Sequence, residues 1–318
     1  MKKIALIWLV MISFLFGVEK YAPVQEIHID GAAKDMVVRG DHLIIGTDNG
    51  KLQVYDYVKK KFVKEISIPS IKDFMGDTIS ARVASVDRID GRYLLLSDSG
   101  IGGYANLRIH ENNETRTILG PEDKKPIIKA RFIDKDHVLL AYLSNEVSLL
   151  DINTKKEIYR TQLSESKFSD FALTNDRKLA AFGCESGEIA VIDTGTGKIL
   201  HRFNELNLDN VYRVDIKSDH VVGAGQDRRG TWYNIKNGKG GFVAGDFLIY
   251  ATALSPSAQR VAYALDEKNN ITILDMMTHS KIALLEGQKS TMVSIVFKDE
   301  NTLFSASDDD TVMMWKIK

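Results

Sequence analysis

This 318-residue chain contains little cysteine or proline, and it has almost no excess of charge of either sign. The single Cys184 excludes an intramolecular disulfide, as well as the paired-cysteine motifs of zinc sites and haem attachment. Five prolines and the absence of low-complexity tracts argue against a disordered linker, so we expect one domain. The 42 basic residues nearly balance the 43 acidic ones. This balance lacks the basic excess typical of non-specific nucleic-acid binding, and we expect no nucleic-acid partner.

The N-terminus has the composition of an export signal. Lys2 and Lys3 precede an apolar run at residues 4–16, in which only Ser13 is polar. This pattern is typical of a secretory signal peptide. At ~1.5 Å per residue the run covers roughly 20 Å, which is too short for the ~30 Å core of a bilayer. We predict a signal peptide at residues 1–17 and a periplasmic domain at residues 18–318, without stable membrane insertion; an uncleaved N-terminal anchor is the alternative.

An internal repeat is the strongest pattern in the sequence. In each unit a polar turn is followed by a strand-like segment. The residues that end these segments are Asp56, His110, Asp151, Asp193, Asn234, Asp275 and Lys316. Their spacings are 54, 41, 42, 41, 41 and 41 residues. Each period contains four short strand-like segments bounded by turn residues, which is typical of a propeller blade. The fold predicted is all-β, a seven-bladed β-propeller with four antiparallel strands in each blade.

Two departures from the regular repeat carry further predictions. The seventh unit ends after its third strand, and residues 24–29 (VQEIHI) alternate apolar with polar side chains. We predict that this N-terminal strand completes the last blade and so removes an open sheet edge. The long spacing of 54 predicts an insertion at residues 69–81, and the second unit has a long glycine-rich hairpin at residues 99–105. Both should lie on one face, where function in repeat folds concentrates.

The last hairpin, SASDDDTVMMWKI at residues 305–317, places an acidic turn before a strand that contains Trp315. With its four-stranded period, the chain resembles the WD40 repeat family over residues 24–318. It lacks the Trp-Asp dipeptide and the Gly-His pair that support the family's His-Asp-Trp hydrogen-bond network. The N-terminal leader, the chain length and the weak repeats are also similar to those of exported WD40-like accessory proteins encoded with periplasmic nitrate reductases. That similarity implies a role in the assembly, maturation or electron supply of the reductase. It also implies that components of the reductase system are partners and that this chain has no enzymatic activity of its own.

The sequence contains no motif for catalysis or metal binding. His42, His137 and His220 each follow an aspartate, and such pairs could serve as metal ligands or as a base with its orienting carboxylate. They belong to units 1, 3 and 5, however, which a propeller holds apart, so we interpret them as polar turns. The aspartates that end the third strands are also dispersed and are expected to cap turns. We predict no catalytic residue, no metal site and no cofactor.

The candidate binding surface lies at the mouth of the central channel. Superposing the units places there Lys34, Arg82, Lys129, Ser169, Tyr212, Tyr250 and Val293. Tyrosine and arginine dominate interface energetics, so this ring suits a polar or anionic protein surface, with an ordinary solvated rim as the alternative. The predicted partner-binding residues are Lys34, Arg82, Lys129, Tyr212, Arg213, Tyr250, Arg228, Arg229, Phe74, Met75 and Tyr104.

These observations favour a monomeric, non-catalytic protein-interaction scaffold. One alternative is a propeller enzyme or small-ligand sensor that uses the central channel. Such proteins usually need converging carboxylates or histidines at the mouth, whereas this ring carries cations. A second alternative is an outer-membrane assembly scaffold, which would require recruitment to the membrane.

Overall fold

The computed structural model describes residues 18–318, which form seven four-stranded antiparallel units arranged as the blades of a β-propeller. The predicted signal peptide at residues 1–17 lies outside the described residues. The second strand of each blade is almost entirely buried, because neighbouring blades cover both of its faces. The fourth strands are on the outside, and several alternate between exposed and inward-facing side chains. The predicted fold class is confirmed.

The N-terminal half of the described chain forms two short strands, three blades and one small hairpin. The first two strands are β1 (Glu19–Tyr21) and β2 (Gln25–His28). Blade 1 contains β3 (Ala33–Arg39), β4 (His42–Thr47), β5 (Lys51–Asp56) and β6 (Lys61–Ser67). The hairpin consists of β7 (Ile71–Lys72) and β8 (Thr78–Ile79). Blade 2 contains β9 (Val83–Ile89), β10 (Arg92–Asp98), β11 (Ala105–Glu111) and β12 (Glu114–Leu119). Blade 3 contains β13 (Ile127–Phe132), β14 (His137–Tyr142), β15 (Glu146–Asp151) and β16 (Glu157–Gln162).

The C-terminal half forms the remaining four blades. Blade 4 contains β17 (Phe168–Leu173), β18 (Leu179–Cys184), β19 (Ile189–Asp193) and β20 (Ile199–Phe203). Blade 5 contains β21 (Val211–Lys217), β22 (His220–Gly225), β23 (Arg229–Asn234) and β24 (Gly240–Ala244). Blade 6 contains β25 (Thr252–Leu254), β26 (Arg260–Ala264), β27 (Ile271–Asp275) and β28 (Lys281–Leu285). Blade 7 contains β29 (Met292–Asp299), β30 (Thr302–Ser307) and β31 (Thr311–Lys316).

Helical structure is minimal in residues 18–318. A single 3₁₀ turn, Pro121–Asp123, connects blades 2 and 3. No helix in this part of the chain has the length and apolar character needed to cross a membrane.

The N-terminal strands close the ring, and they do so in two blades. Strand β2 pairs antiparallel with β31 from Gln25 opposite Met314 to His28 opposite Thr311, and so completes blade 7 as predicted. Strand β1 runs parallel to β28 and adds a fifth strand to blade 6. An ion pair of 2.9 Å between Lys20 and Glu286 accompanies this pairing. The N-terminal segment therefore bridges blades 6 and 7, although the sequence predicted only the contact with blade 7.

Seven hydrophobic clusters form the core, one between each pair of neighbouring blades. Ile27 from β2 packs with Phe304 of blade 7 and Leu43 of blade 1, so the closing strand contributes directly to one cluster. Trp315 is fully buried in the cluster between blades 6 and 7. Burial of this apolar surface, repeated around the ring, stabilises the contacts between the blades.

A chain of buried hydrogen bonds holds the last blade together. Trp315 donates through Nε1 to the Ser305 hydroxyl at 2.8 Å, and Ser305 donates to Oε1 of Gln288 at 2.7 Å. The Gln288 amide also donates to Ser307, which donates to Asp309 at 2.8 Å. Each of these buried polar groups thereby gains a partner, which offsets the cost of removing it from water.

The aspartates at the ends of the third strands cap turns, as predicted. Asp56 accepts hydrogen bonds from the amides of Val58 and Lys59, and Asp275 accepts those of Met277 and Thr278. Asp151 and Asp193 make equivalent bonds in blades 3 and 4. These carboxylates therefore have a structural role in each hairpin.

Candidate functional site

The two irregular segments predicted from the sequence contact each other on one face of the ring, which we call the insertion face. Residues 69–81 contain the hairpin of β7 and β8, and residues 99–104 form the loop between β10 and β11. Gly100 has a φ of +77°, and a Cβ there would lie 2.3 Å from the Lys72 carbonyl oxygen. Glycine is thus required both by the backbone angle and by the close approach of the hairpin. Their predicted common location is confirmed.

Large apolar side chains are exposed around this contact. Phe74 is 95% exposed and Met75 71% exposed at the tip of the hairpin, and Ile101 is 59% exposed in the adjacent loop. Phe74, Ile101 and Tyr104 also line a cavity of about 680 Å³ at the channel mouth. Several large apolar side chains grouped on one surface are typical of an interaction site.

A second group of aromatic side chains lies on the same face, between blades 5 and 6. The rings of Tyr212 and Tyr250 stack with their centroids 5.1 Å apart, and Phe247 lies 6.4 Å from Tyr250. The Tyr212 hydroxyl donates to Gln226 at 2.9 Å, which fixes the ring orientation. Stacked tyrosines offer a rigid contact surface with polar ends.

The cations predicted for this face are in different environments. Lys34 forms ion pairs with Asp48 and Asp308 at 3.3 and 3.1 Å, and Arg82 forms one with Asp98 at 3.2 Å. The rim is therefore close to electrically balanced at these positions.

The two blade 5 arginines also differ from each other. Arg228 is exposed in the turn between β22 and β23. The guanidinium of Arg229 lies 4.4 Å from the centre of the Phe242 ring and donates to the Leu206 carbonyl at 2.8 Å. Arg229 is thus held against the outer part of its own blade.

The strand registers show that the residues superposed from the sequence are not all equivalent. In blades 1, 4, 5 and 7 the first strand has a bulge at Lys34, Ser169, Tyr212 and Val293. In blades 2 and 3 the bulge residues are Ala84 and Ile128. Arg82 therefore lies two residues before the equivalent position, and Lys129 lies one residue after it. As a result the Lys129 side chain lies deeper in the channel, 15% exposed and paired with Asp170, whereas the superposition placed it on the rim.

Inside the channel, charged side chains from five blades form a buried network. Arg131 forms a bidentate ion pair with Asp35, with distances of 2.7 and 2.8 Å. Lys129 lies 2.6 Å from Asp170, which also has Arg213 at 3.4 Å. Burial would raise the pKa of Asp35, but the charges of Arg131 and Lys129 outweigh it and lower that pKa to about 2.

Asp87 is the third carboxylate of this network. Arg39 approaches it to 2.7 Å from blade 1, and Arg177 approaches it to 2.8 Å from blade 4. Burial opposes the charged form, yet the two guanidinium groups lower the pKa of Asp87 below its usual value. This network was not predicted from the sequence. The signal it left is the occurrence of charged residues such as Asp87 and Arg131 within otherwise apolar first strands.

The same aspartates connect neighbouring blades. Asp35 accepts a hydrogen bond from the Val86 amide at 2.8 Å, and Asp170 accepts one from the Val214 amide at 3.1 Å. One layer further along, Asp87 accepts from Phe132 and Asp215 accepts from Leu254. The innermost strands have an unpaired edge towards the channel, and these carboxylates satisfy some of its amide groups.

The predicted Asp-His pairs remain far apart in the sheet order. His137 contacts Asp134 of its own turn at 2.8 Å, and Nδ1 of His42 lies 3.2 Å from Arg88. Across residues 18–318, no group of three or more His, Cys, Asp or Glu side chains is arranged to hold a metal ion. Cys184 is buried and has no cysteine partner in this region.

Comparison with known proteins gave no assignment. No protein-family model matches the chain, and no curated protein matches it. The geometry of the strands therefore identifies the fold, a seven-bladed β-propeller, and the insertion face is its candidate functional site.

Proposed function

We propose that this protein is a WD40-like, non-catalytic scaffold that binds a protein partner through the insertion face. The observation that carries the proposal is the exposure of Phe74 and Met75 on a hairpin anchored against the blade 2 loop. An apolar group on a rigid support loses little conformational entropy when a partner covers it. The stacked Tyr212 and Tyr250 add a second contact area on the same face.

The hydrogen-bond chain in blade 7 supports the WD40-like part of this proposal. Gln288 follows Gly287 shortly before the first strand of the blade, where the family has its Gly-His pair. Through Ser305 it connects to Trp315, and through Ser307 to Asp309. Glutamine thus takes the place of histidine in a network that otherwise has the expected Trp and Asp.

The partner proposed is a component of the periplasmic nitrate reductase system, which the protein would assist in assembly, maturation or electron supply. The basis is the resemblance in leader, length and repeats described above. Export is supported by Lys2, Lys3 and the apolar run at residues 4–16. A non-catalytic role is supported by the wide separation of the histidines among the blades.

Affinity capture from periplasmic extract, with matched variants, tests this proposal. The double variant Phe74→Ser/Met75→Ser removes the exposed apolar tip, and Met277→Ser is its control. Met277 is 88% exposed but lies in the turn between β27 and β28, on the opposite face. We expect wild type and Met277→Ser to capture a nitrate reductase component, and the double variant to capture at least about tenfold less. Equal capture by all three proteins would contradict the proposed face, and capture without any reductase component would contradict the proposed partner.

A further inference from the structure

The opposite mouth of the channel leads into a second cavity, of about 620 Å³. Its entrance lies among the turns between first and second strands, and includes Asp41, Asn175 and Pro256. Its interior is lined by residues of the buried charge network. Cavities of about 300–1,000 Å³ are typical of small-molecule sites.

The charges of the buried network do not balance. It contains five cations, Arg39, Lys129, Arg131, Arg177 and Arg213, and three carboxylates, Asp35, Asp87 and Asp170. Lys217 and Lys298, which also line the cavity, are each paired with an aspartate beside them, at 2.7 and 3.3 Å. Asp41 is exposed at the rim. This layer therefore has an excess of two positive charges, and the side chains of Arg39 and Arg213 remain 34% and 31% exposed.

Two hydrogen-bond donors in this layer also have no acceptor among the described residues. Nη2 of Arg213 and Nε of Arg177 have no acceptor among residues 18–318, although both arginines line the cavity. Neither donor is fully enclosed by the protein, so both remain open to a ligand that enters the cavity. A planar guanidinium matches the geometry of carboxylate and phosphate oxygens.

We propose that this cavity binds a small anion carrying at least two negative charges on carboxylate or phosphate oxygens. Arg39, Arg177 and Arg213 supply the surplus positive charge, and Arg177 and Arg213 supply the free donors. The negative charge of the ligand neutralises this surplus. This site goes beyond the protein-interaction role, because Arg39 and Arg177 line the cavity that opens opposite to the insertion face and do not line the cavity on the insertion face. Failure of one proposal leaves the other intact.

Two variants remove the surplus charge without leaving a carboxylate unpaired. Arg213→Gln leaves Asp170 with Lys129 at 2.6 Å, and Arg39→Gln leaves Asp87 with Arg177 at 2.8 Å. The control is Lys236→Gln, which removes one positive charge from an exposed side chain paired with Asp219. All three variants should fold, since no buried charge loses its last partner.

Isothermal titration calorimetry with citrate and with inorganic phosphate, at ionic strength matched with chloride, tests the site. We expect at least one of the two anions to bind wild type and Lys236→Gln equally. Arg213→Gln and Arg39→Gln should each weaken that binding about tenfold or more. Binding of citrate alone identifies a carboxylate ligand, and binding of phosphate alone a phosphate ligand. Absence of binding by both anions, or undiminished binding to both arginine variants, would overturn the proposal.

Discussion

The buried polar side chains are each held by particular partners, and Gln288 shows how much can depend on one of them. It is 6% exposed and is hydrogen-bonded to Ser305 and Ser307, both fully or almost fully buried. Trp315 relies on the same arrangement, because its indole N–H donates to Ser305. A single side chain from the loop before β29 therefore organises two strands of the last blade.

Replacing Gln288 with alanine should lower the free energy of unfolding by about 1–3 kcal/mol, because it leaves buried hydroxyl groups without a partner. Urea denaturation followed by tryptophan fluorescence measures this change. Gln288→His should lose less than Gln288→Ala, since an imidazole can still bond to Ser305. The control is Lys289→Ala, an exposed neighbour whose ion pair with Glu26 should contribute less than about 1 kcal/mol. Equal stability of the two Gln288 variants and wild type would show that the hydrogen-bond chain does not stabilise the blade.

At the scale of elements, the two N-terminal strands have different roles. Strand β2 covers the edge of β31 and supplies Ile27 to the core between blades 7 and 1. Strand β1 lies outside β28, the fourth strand of blade 6. In the other blades the fourth strand is the outermost one. Loss of β2 should therefore open the ring, whereas loss of β1 should only shorten one sheet.

Truncation distinguishes these roles. A chain that begins at Ala22 lacks β1 and should remain monomeric, as we expect for the chain that begins at Val18. A chain that begins at Asp30 lacks β2 as well, which exposes the β31 edge and part of a hydrophobic cluster. We expect this shorter chain to form oligomers or aggregates, because an unpaired edge strand pairs readily with other chains. Size-exclusion chromatography with light scattering measures the masses, and a stable monomer beginning at Asp30 would contradict the closure mechanism.

The repeat was sufficient to predict most elements, and the failures have a physical explanation. Short strands with strong apolar patterns, and turns at regular spacing, predicted all seven blades and the insertion. Strand β1 has only three residues and pairs in parallel, so it leaves no periodic signal. The bulges at Ala84 and Ile128 shift the register without altering the apolar pattern. The shift at Ile128 moves Lys129 from the predicted rim position to one deeper in the channel.

The channel network was beyond sequence reasoning for a different reason. Asp35 and Arg131 are 96 residues apart, and Asp87 and Arg177 are 90 apart. Only the closed ring brings these side chains together, since neither pair lies in neighbouring blades. A charged residue in an apolar strand can be recognised from the sequence, but its partner cannot.

For the molecule as a whole, the hydrophobic clusters and the charge network stabilise the ring in different ways. The clusters lie between every pair of neighbouring blades. The buried ion pairs connect only blades 1 to 5, because blades 6 and 7 place Ala251 and Ser294 in the layer of Asp35. Conditions that neutralise the buried carboxylates should therefore weaken the connections across one side of the ring and leave the apolar contacts in place.

Acid should weaken this network within a defined pH range. The pKa of Asp35 is 3.8 in its ordinary state and about 2 in the folded protein, so the folded state favours the charged form. The resulting stabilisation is complete above about pH 4 and is lost as the pH falls towards 2. Asp35 contributes about 2 kcal/mol at neutral pH, and most of this stabilisation should be lost by pH 2.5.

Many exposed carboxylates also titrate in this range, and a double variant isolates the contribution of Asp35. Asp35→Asn/Arg131→Met removes the ion pair and can keep an acceptor for the Val86 amide. Arg131→Met alone should destabilise the fold by about 3 kcal/mol or more, because it leaves a buried carboxylate without its main partner. Urea denaturation at pH 6 and pH 2.5 measures the loss for wild type and for the double variant. Wild type should lose about 1–2 kcal/mol more than the double variant, and identical losses would show that Asp35 does not couple proton binding to the closure of the ring.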